Sequence, residues 1–203
     1  VSVRIAVIDS GIHAAHPHVE RVAGGVGFDA AGRELDDWVD RLGHGTAVAA
    51  AIREKAPAAE LYAVKVFHEK LATRIDALIA AIAWSARHGM RWINLSLGTP
   101  NFEHAAVLRD AVARAGAAGA TIVAAYEDGA TPMLPGRLPG VVAVQLDWTC
   151  PRHQCRRVTL PCGTEVYRAS GYPRDIPGVP PDRNLRGISF AVATVTGLLA
   201  ATD

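Results

Sequence analysis

Aromatic residues are scarce, 6% of 203 positions, and they are scattered rather than interleaved with cations. With no stacking surface, no basic stripe and a net charge of +1, nothing favours a nucleic acid or an anionic membrane as partner. Long apolar runs are missing as well: residues 78–84 are apolar but fall far short of the ~20 needed to span a bilayer. The opening stretch, residues 1–8, lacks a charged segment, a long apolar core and a small-residue cleavage site, so it does not read as a secretory signal. There are three cysteines, Cys150, Cys155 and Cys162. An odd number without a framework pattern points to a reducing compartment, and the expected location is cytoplasmic.

Half of the residues are apolar and a fifth are charged, enough to build a buried core. Strand-like runs fall at residues 4–8, 61–67, 92–97, 121–125 and 141–146, most of them too apolar to have a wet face. Between them, residues 46–54, 74–88 and 103–118 carry apolar positions at helical spacing, with Ile75, Leu78, Ile79, Ile82 and Ala83 forming one stripe. Helical character returns at 189–201. This alternation predicts a three-layer α/β fold, a mainly parallel sheet with helices on both faces. No linker or repeat interrupts it, so residues 1–203 read as a single domain. Residues 146–182 differ: they hold all three cysteines, Arg152, Arg156 and Arg157, and most of the prolines. There a hairpin is expected over 148–159 and a long surface loop over 172–184.

Three segments carry chemistry. In Ile5-Ala6-Val7-Ile8-Asp9-Ser10-Gly11 a carboxylate follows a buried strand, at the sheet end where open α/β sheets place their sites. In Gly43-His44-Gly45-Thr46 a histidine stands between two glycines at the start of a helix. In Gly187-Ile188-Ser189-Phe190-Ala191 a serine opens a buried helix, whose free N–H groups suit a developing oxyanion. Each alone has a plainer reading: a turn after a strand, a loop histidine beside a cap, an N-cap serine.

Taken together and in this order, the segments resemble the subtilisin-like serine peptidases (subtilases), whose triad runs Asp, His, Ser. The family's Asp-Ser-Gly, Gly-His-Gly-Thr and Gly-x-Ser-x-Ala blocks stand at positions 9–11, 43–46 and 187–191. A fourth block, Ile93-Asn94-Leu95-Ser96-Leu97-Gly98, resembles the strand that pairs with extended substrate. His16-Pro17 and Val195-Thr196-Gly197 also fit. The resemblance implies Ser189 as nucleophile, His44 as general base and acid, and Asp9 as the group that orients the imidazole. It also implies that Ser96, Leu97 and Gly98 offer backbone groups to a polypeptide added as a strand. No cofactor and no metal is expected.

The pattern breaks at Ala124-Ala125-Tyr126-Glu127-Asp128-Gly129. Family members usually carry Ala-Ala-Gly-Asn here, and the asparagine is the second oxyanion donor; Tyr126 stands for the glycine and Glu127 for the asparagine. An ionised carboxylate only accepts hydrogen bonds. Glu127 therefore either donates in a protonated form, points elsewhere, or leaves the hole defective. Losing such a donor costs about 10²–10³ in rate, a magnitude established on a member of this same family. Ile188 replaces a threonine, and Ala193 a proline. No propeptide and no calcium loop are evident, and Asp36, Asp37 and Asp40 read as a solvated acidic turn, with a calcium site as the alternative.

Cys150, His153, Cys155 and Cys162 have loose spacing for zinc; a hairpin disulfide between Cys150 and Cys155, or free thiols, fits better. The family layout puts Cys162 near the nucleophile. His13, His16 and His18 read as a turn, with metal binding as the alternative. The arginines 152, 156 and 157 read as a solvated face.

The expected function is that of a serine endopeptidase working through an acyl-enzyme, in a dedicated processing role with an atypical oxyanion hole. Small leader-peptide-removing subtilases, such as the one maturing quinohemoprotein amine dehydrogenase, are the comparison the resemblance offers. The rival is a catalytically impaired subtilase fold that binds a peptide or protein.

Overall fold

The computed structural model describes residues 2–203, the Asp182 side chain excepted. Its strands are β1 (Arg4–Asp9), β2 (Gly24–Phe28), β3 (Glu34–Leu35), β4 (Glu60–Lys65), β5 (Trp92–Leu95), β6 (Thr121–Ala125), β7 (Glu127–Asp128), β8 (Thr131–Pro132), β9 (Val141–Leu146), β10 (Cys155–Thr159) and β11 (Glu165–Ala169). The helices are α1 (His44–Lys55), α2 (Ile75–Arg87), α3 (Ala105–Ala117) and α4 (Ile188–Ala200). Nine strands form one sheet in the order β10-β11-β9-β6-β5-β1-β4-β2-β3, while β7 and β8 make a separate small hairpin. Only the β10–β11 and β2–β3 pairings in the large sheet are antiparallel. The three-layer, mainly parallel α/β fold follows.

The layering arises from the two-residue period of the central strand. Ile5 and Val7 on β1 pack into a core with Val48 and Ile52 of α1 and Phe190 and Val195 of α4. Ala6 and Ile8 face the other way, into a core with Leu78 and Ile82 of α2 and Leu108 and Val112 of α3. A strand covered on both faces has no wet side, which is why its sequence is continuously apolar.

Two expectations are corrected. The hairpin lies over β10 and β11, not over residues 148–159, because the alternating run Cys155–Thr159 pairs forward with Glu165–Ala169. Residues 147–150 instead turn on the Asp147 carboxylate, which accepts from the Thr149 amide and hydroxyl. Asp40 is not part of a solvated turn; it is buried. Strand β2 gave no signal, since three of its five residues are glycine. It forms through parallel pairing with β4.

Helix α4 is pinned to β5 by a buried polar contact. The Thr196 hydroxyl lies 2.9 Å from Asn94 Oδ1 and 2.9 Å from the Val192 carbonyl oxygen, so its single proton goes to one of these acceptors. Asn94 Nδ2 in turn donates to Ser96 Oγ at 2.7 Å. Both Asn94 and Thr196 are fully buried. Thr196→Val keeps the shape but leaves the Asn94 carbonyl without a donor. It is expected to lower stability by about 1–3 kcal/mol, read as a fall in the urea midpoint at unchanged slope.

Candidate active site

Asp9 ends β1 and is fully buried. Its two carboxylate oxygens lie 2.8 and 2.9 Å from Nδ1 of His44, and Oδ1 also accepts the Ser10 amide at 2.7 Å. Because a carboxylate only accepts, the ring proton belongs on Nδ1, and Nε2 of the neutral imidazole is the acceptor. Burial pushes the His44 pKa down, but the Asp9 hydrogen bond and charge, with the charge of Asp40 behind them, outweigh burial; the net result is above the ordinary value.

The local sequence explains this placement. Gly43 precedes α1 with a φ of 84°, a left-handed conformation that suits glycine. A side chain at position 45 would strike the Gly11 carbonyl and the Asp9 Cβ, so glycine there lets the helix start close to the end of β1. Asp40 fastens the junction. Its Oδ1 accepts from Ser10 Oγ, Leu42 N and Gly43 N, and its Oδ2 from the amide and hydroxyl of Thr46, at 2.6 to 2.9 Å. Burial pushes the Asp40 carboxyl up, yet the Thr46, Leu42 and Gly43 hydrogen bonds hold it below its usual value. Sequence reasoning missed this role; the signal was an aspartate three residues before the Gly-His-Gly block.

Ser189 sits on the first turn of α4, where its N–H has no partner inside the helix. Its hydroxyl donates to the Ser96 carbonyl at 3.1 Å rather than to His44. Ser189 and His44 line one cavity of about 200 Å³, together with Ser96, Leu97, Gly98 and Asp128. A second cavity of about 280 Å³ adjoins it along Phe67, Leu71, Leu97 and Gly98.

Glu127 does not line the cavity with Ser189. Its Oε1 accepts from Gln145 Nε2 at 2.7 Å, and its Oε2 lies 3.7 Å from Arg137 Nη2. Arg137 also stacks over the Tyr126 ring, 4.1 Å from its centroid. Asp128, one position on, was not singled out from the sequence, yet it lines the cavity.

The family model for the subtilase family matches residues 2–145. The chain belongs to the subtilase family. Relatives include subtilisin E of Bacillus subtilis, 34% identical over 158 residues that cover 70% of this chain and 40% of that one. A thermostable alkaline protease of Halalkalibacterium halodurans is 36% identical over 152 residues, again 70% of this chain and 40% of that one. This subtilase thus spans less than half the length of these curated relatives. A solved lanthipeptide protease superposes with a TM-score of 0.72 at 18% identity, over 98% of this chain and 72% of that chain, a likeness of fold. The matched stretch contains Asp9 and His44 and ends before Ser189.

The other sequence candidates lie apart. The thiols of Cys150, Cys155 and Cys162 are free. Cys162 lies in the turn between β10 and β11, bonded to Thr164, and does not line the Ser189 cavity. Among the described residues no group of three or more His, Cys, Asp or Glu side chains is arranged to hold a metal ion. His13, His16 and His18 form a turn, in which the His16 amide donates to the His13 carbonyl. Arg156 and Arg157 are exposed, as a solvated face requires, and pair with Asp147 and Glu165, whereas Arg152 is largely covered and pairs with Glu54. No helix among the described residues is long and apolar enough to cross a membrane.

The His44 imidazole is expected to titrate above the ordinary histidine value in ring-proton NMR. Asp9→Asn removes the hydrogen bond to a charge and should move that titration down. An unchanged titration would mean that Asp9 does not set the ring.

Proposed function

We propose that this chain is a serine endopeptidase, acting as one peptidase domain over residues 1–203, with Asp9, His44 and Ser189 as its triad. The observation that carries the reading is the convergence of three elements distant in sequence: Asp9 at the end of β1 bonds His44 at the start of α1, and His44 lines one cavity with Ser189 at the start of α4. Family membership supports it.

In this reading a polypeptide lies extended along Ser96, Leu97 and Gly98. The Ser189 hydroxyl turns from the Ser96 carbonyl toward His44 Nε2 and gives up its proton as Oγ bonds to the scissile carbonyl carbon. The negative charge goes to the carbonyl oxygen, facing the Ser189 N–H. His44 then protonates the leaving amine as the C–N bond breaks, leaving an ester on Ser189. Water, deprotonated by the same imidazole, attacks that ester, and His44 returns the proton to Oγ. Asp9 keeps the ring oriented and stabilises its charged form.

The hole is atypical because Glu127 occupies the asparagine position while its carboxylate is engaged by Gln145 and Arg137. It neither donates to the oxyanion nor faces it. One donor is missing, which makes the enzyme slow by about 10²–10³ relative to a complete hole. Slow turnover suits a dedicated processing protease that removes a leader or pro-segment. The solved neighbour of this fold that is a lanthipeptide protease supports that role. Cytoplasmic residence fits the three free thiols.

A binding module without turnover is the second reading, favoured by the Glu127 substitution and by the Ser189 hydroxyl bonding Ser96 instead of His44. Labelling with an uncharged fluorophosphonate separates the two. Ser189 is expected to label at a rate that rises with pH through the His44 titration, since the base must be neutral, and Ser189→Ala to abolish labelling. A chain that stays unlabelled at every pH would sink the protease reading. Glu127→Asn tests the hole: with the native carboxylate turned away, Glu127→Ala should change labelling by less than about threefold, and Glu127→Asn should exceed it only if the new amide reaches the oxyanion. A large gain in Glu127→Ala would mean that the carboxylate does repel the oxyanion.

A further inference from the structure

A third cavity, of about 380 Å³, opens against the face of α1 that carries Thr46, Ala47 and Ala50. Its polar wall is mainly cationic: His13, His16 and His18 come from the turn after β1, Arg41 from before α1, and Arg174 from the loop between β11 and α4. Ile176 and Leu185 of the same loop supply apolar surface. Asp40 also lines the cavity, but both its oxygens are already taken by the junction of β1 and α1.

The cations are only partly compensated. Arg41 pairs with Asp37. The half-buried Arg174 has no ion pair among the described residues; one N–H donates to the His18 carbonyl at 3.0 Å, joining the loop to the histidine turn. His16 Nδ1 accepts the His18 amide at 3.2 Å, so a neutral His16 carries its proton on Nε2. The His16 and His18 rings stand edge to face, 5.2 Å apart. Burial, then the charges of Arg174 and His16, hold the His18 pKa below its ordinary value, with the charge of Glu54 acting the other way. Glu54 itself is engaged by Lys55 and Arg152, and Arg152 also meets Asp175. Imidazole N–H groups and a planar guanidinium thus face one space, a donor set suited to an anion and above all to a carboxylate.

We propose that this cavity takes a carboxylate side chain, aspartate or glutamate, from the substrate on the leaving-group side of the scissile bond. This rests on the protease reading above and adds a recognition element outside the cavity that holds Ser189. None of Ser96, Leu97 and Gly98 lines it. Its walls are instead continuous in the chain with the triad: Gly43 precedes His44, and Asn184 and Leu185 lead into the Gly187 that precedes α4. A polypeptide that enters along Ser96–Gly98 and passes Ser189 leaves past these walls. A bound carboxylate stabilises the charged histidines, so it raises their pKa values and its binding takes up protons. Affinity therefore rises as the pH falls through the histidine range, while the ligand carboxylate stays ionised.

The test uses amidated tetrapeptides with a free amino terminus, which represent the leaving-group product, each with one glutamate or its isostere glutamine at a scanned position. Binding to Ser189→Ala is followed by fluorescence anisotropy. At about pH 6 the best glutamate peptide should bind at least about fivefold more tightly than its glutamine counterpart, and the ratio should shrink at about pH 8. Arg174→Gln in the same background should bring the ratio to within about twofold, whereas Arg174→Lys, which keeps the charge, should hold it above about threefold. Each ratio is read on one protein sample, so a partial loss of fold does not mimic the effect. Equal binding at every position, or a preference that survives Arg174→Gln, would overturn the proposal. Inorganic phosphate that shifts the His18 ring signals, with no preference for glutamate over glutamine, would make this a small-anion site and overturn it as well. Fluorophosphonate labelling of the unmodified chain reports separately on the protease reading. A labelled Ser189 without the glutamate preference removes this inference alone. An unlabelled Ser189 with the preference intact removes the protease reading and keeps the cavity as a site for acidic peptide.

Discussion

The buried carboxylate of Asp40 fixes the junction on which the site depends. Its five hydrogen bonds join Ser10 at the end of β1, the loop at Leu42 and Gly43, and Thr46 in the first turn of α1. A buried carboxylate is tolerated only when its lone pairs are met, and here they are. Ser10 completes the junction, because its Oγ also accepts the Gly45 amide at 2.9 Å. With β1 and α1 held this closely, Asp9 and His44 meet at hydrogen-bond distance without flexible side chains having to search for each other. Positioning of this kind is what a base and its orienting group require.

The third member of the proposed triad is delivered by a different constraint. Helix α4 packs along α1 in the core that contains Phe190 and Val192, and Thr196 ties it to Asn94 in the middle of β5. The start of α4 is thereby set beside the segment leaving β5, where Ser189 reaches the Ser96 carbonyl. The Phe190 ring lies 5.8 Å from the His44 ring and packs beside the imidazole. Packing and one buried hydrogen-bond chain thus do for the serine what Asp40 does for the histidine.

The segment after β6 shows how charge substitutions can be absorbed. An ionised Glu127 facing Ser189 would oppose an oxyanion, because a carboxylate only accepts hydrogen bonds. Instead Arg137 stacks on the Tyr126 ring, donates to the Tyr126 carbonyl at 3.2 Å and pairs with Glu127. The hairpin of β7 and β8 turns the next residue, Asp128, toward the cavity.

The sequence by itself determined the α/β class and the order of the chain's principal strands and helices, though not their exact ends, because a strand buried on both faces must be continuously apolar and a covering helix must repeat near every fourth residue. It also determined which residue types stand in the Asp-Ser-Gly, Gly-His-Gly-Thr and Gly-x-Ser-x-Ala blocks. Strand β2 was illegible, since its glycines carry no side-chain pattern and it exists through pairing with β4. The role of Asp40 was illegible too, as an aspartate in a run of acidic residues looks the same whether solvated or buried. The tertiary structure alone decided where Glu127 and Asp128 point. Adjacent residues in a short strand face opposite sides, and which side meets the cavity depends on the pairing with Thr131 and Pro132 and on Gln145 and Arg137, contributed from elsewhere in the chain.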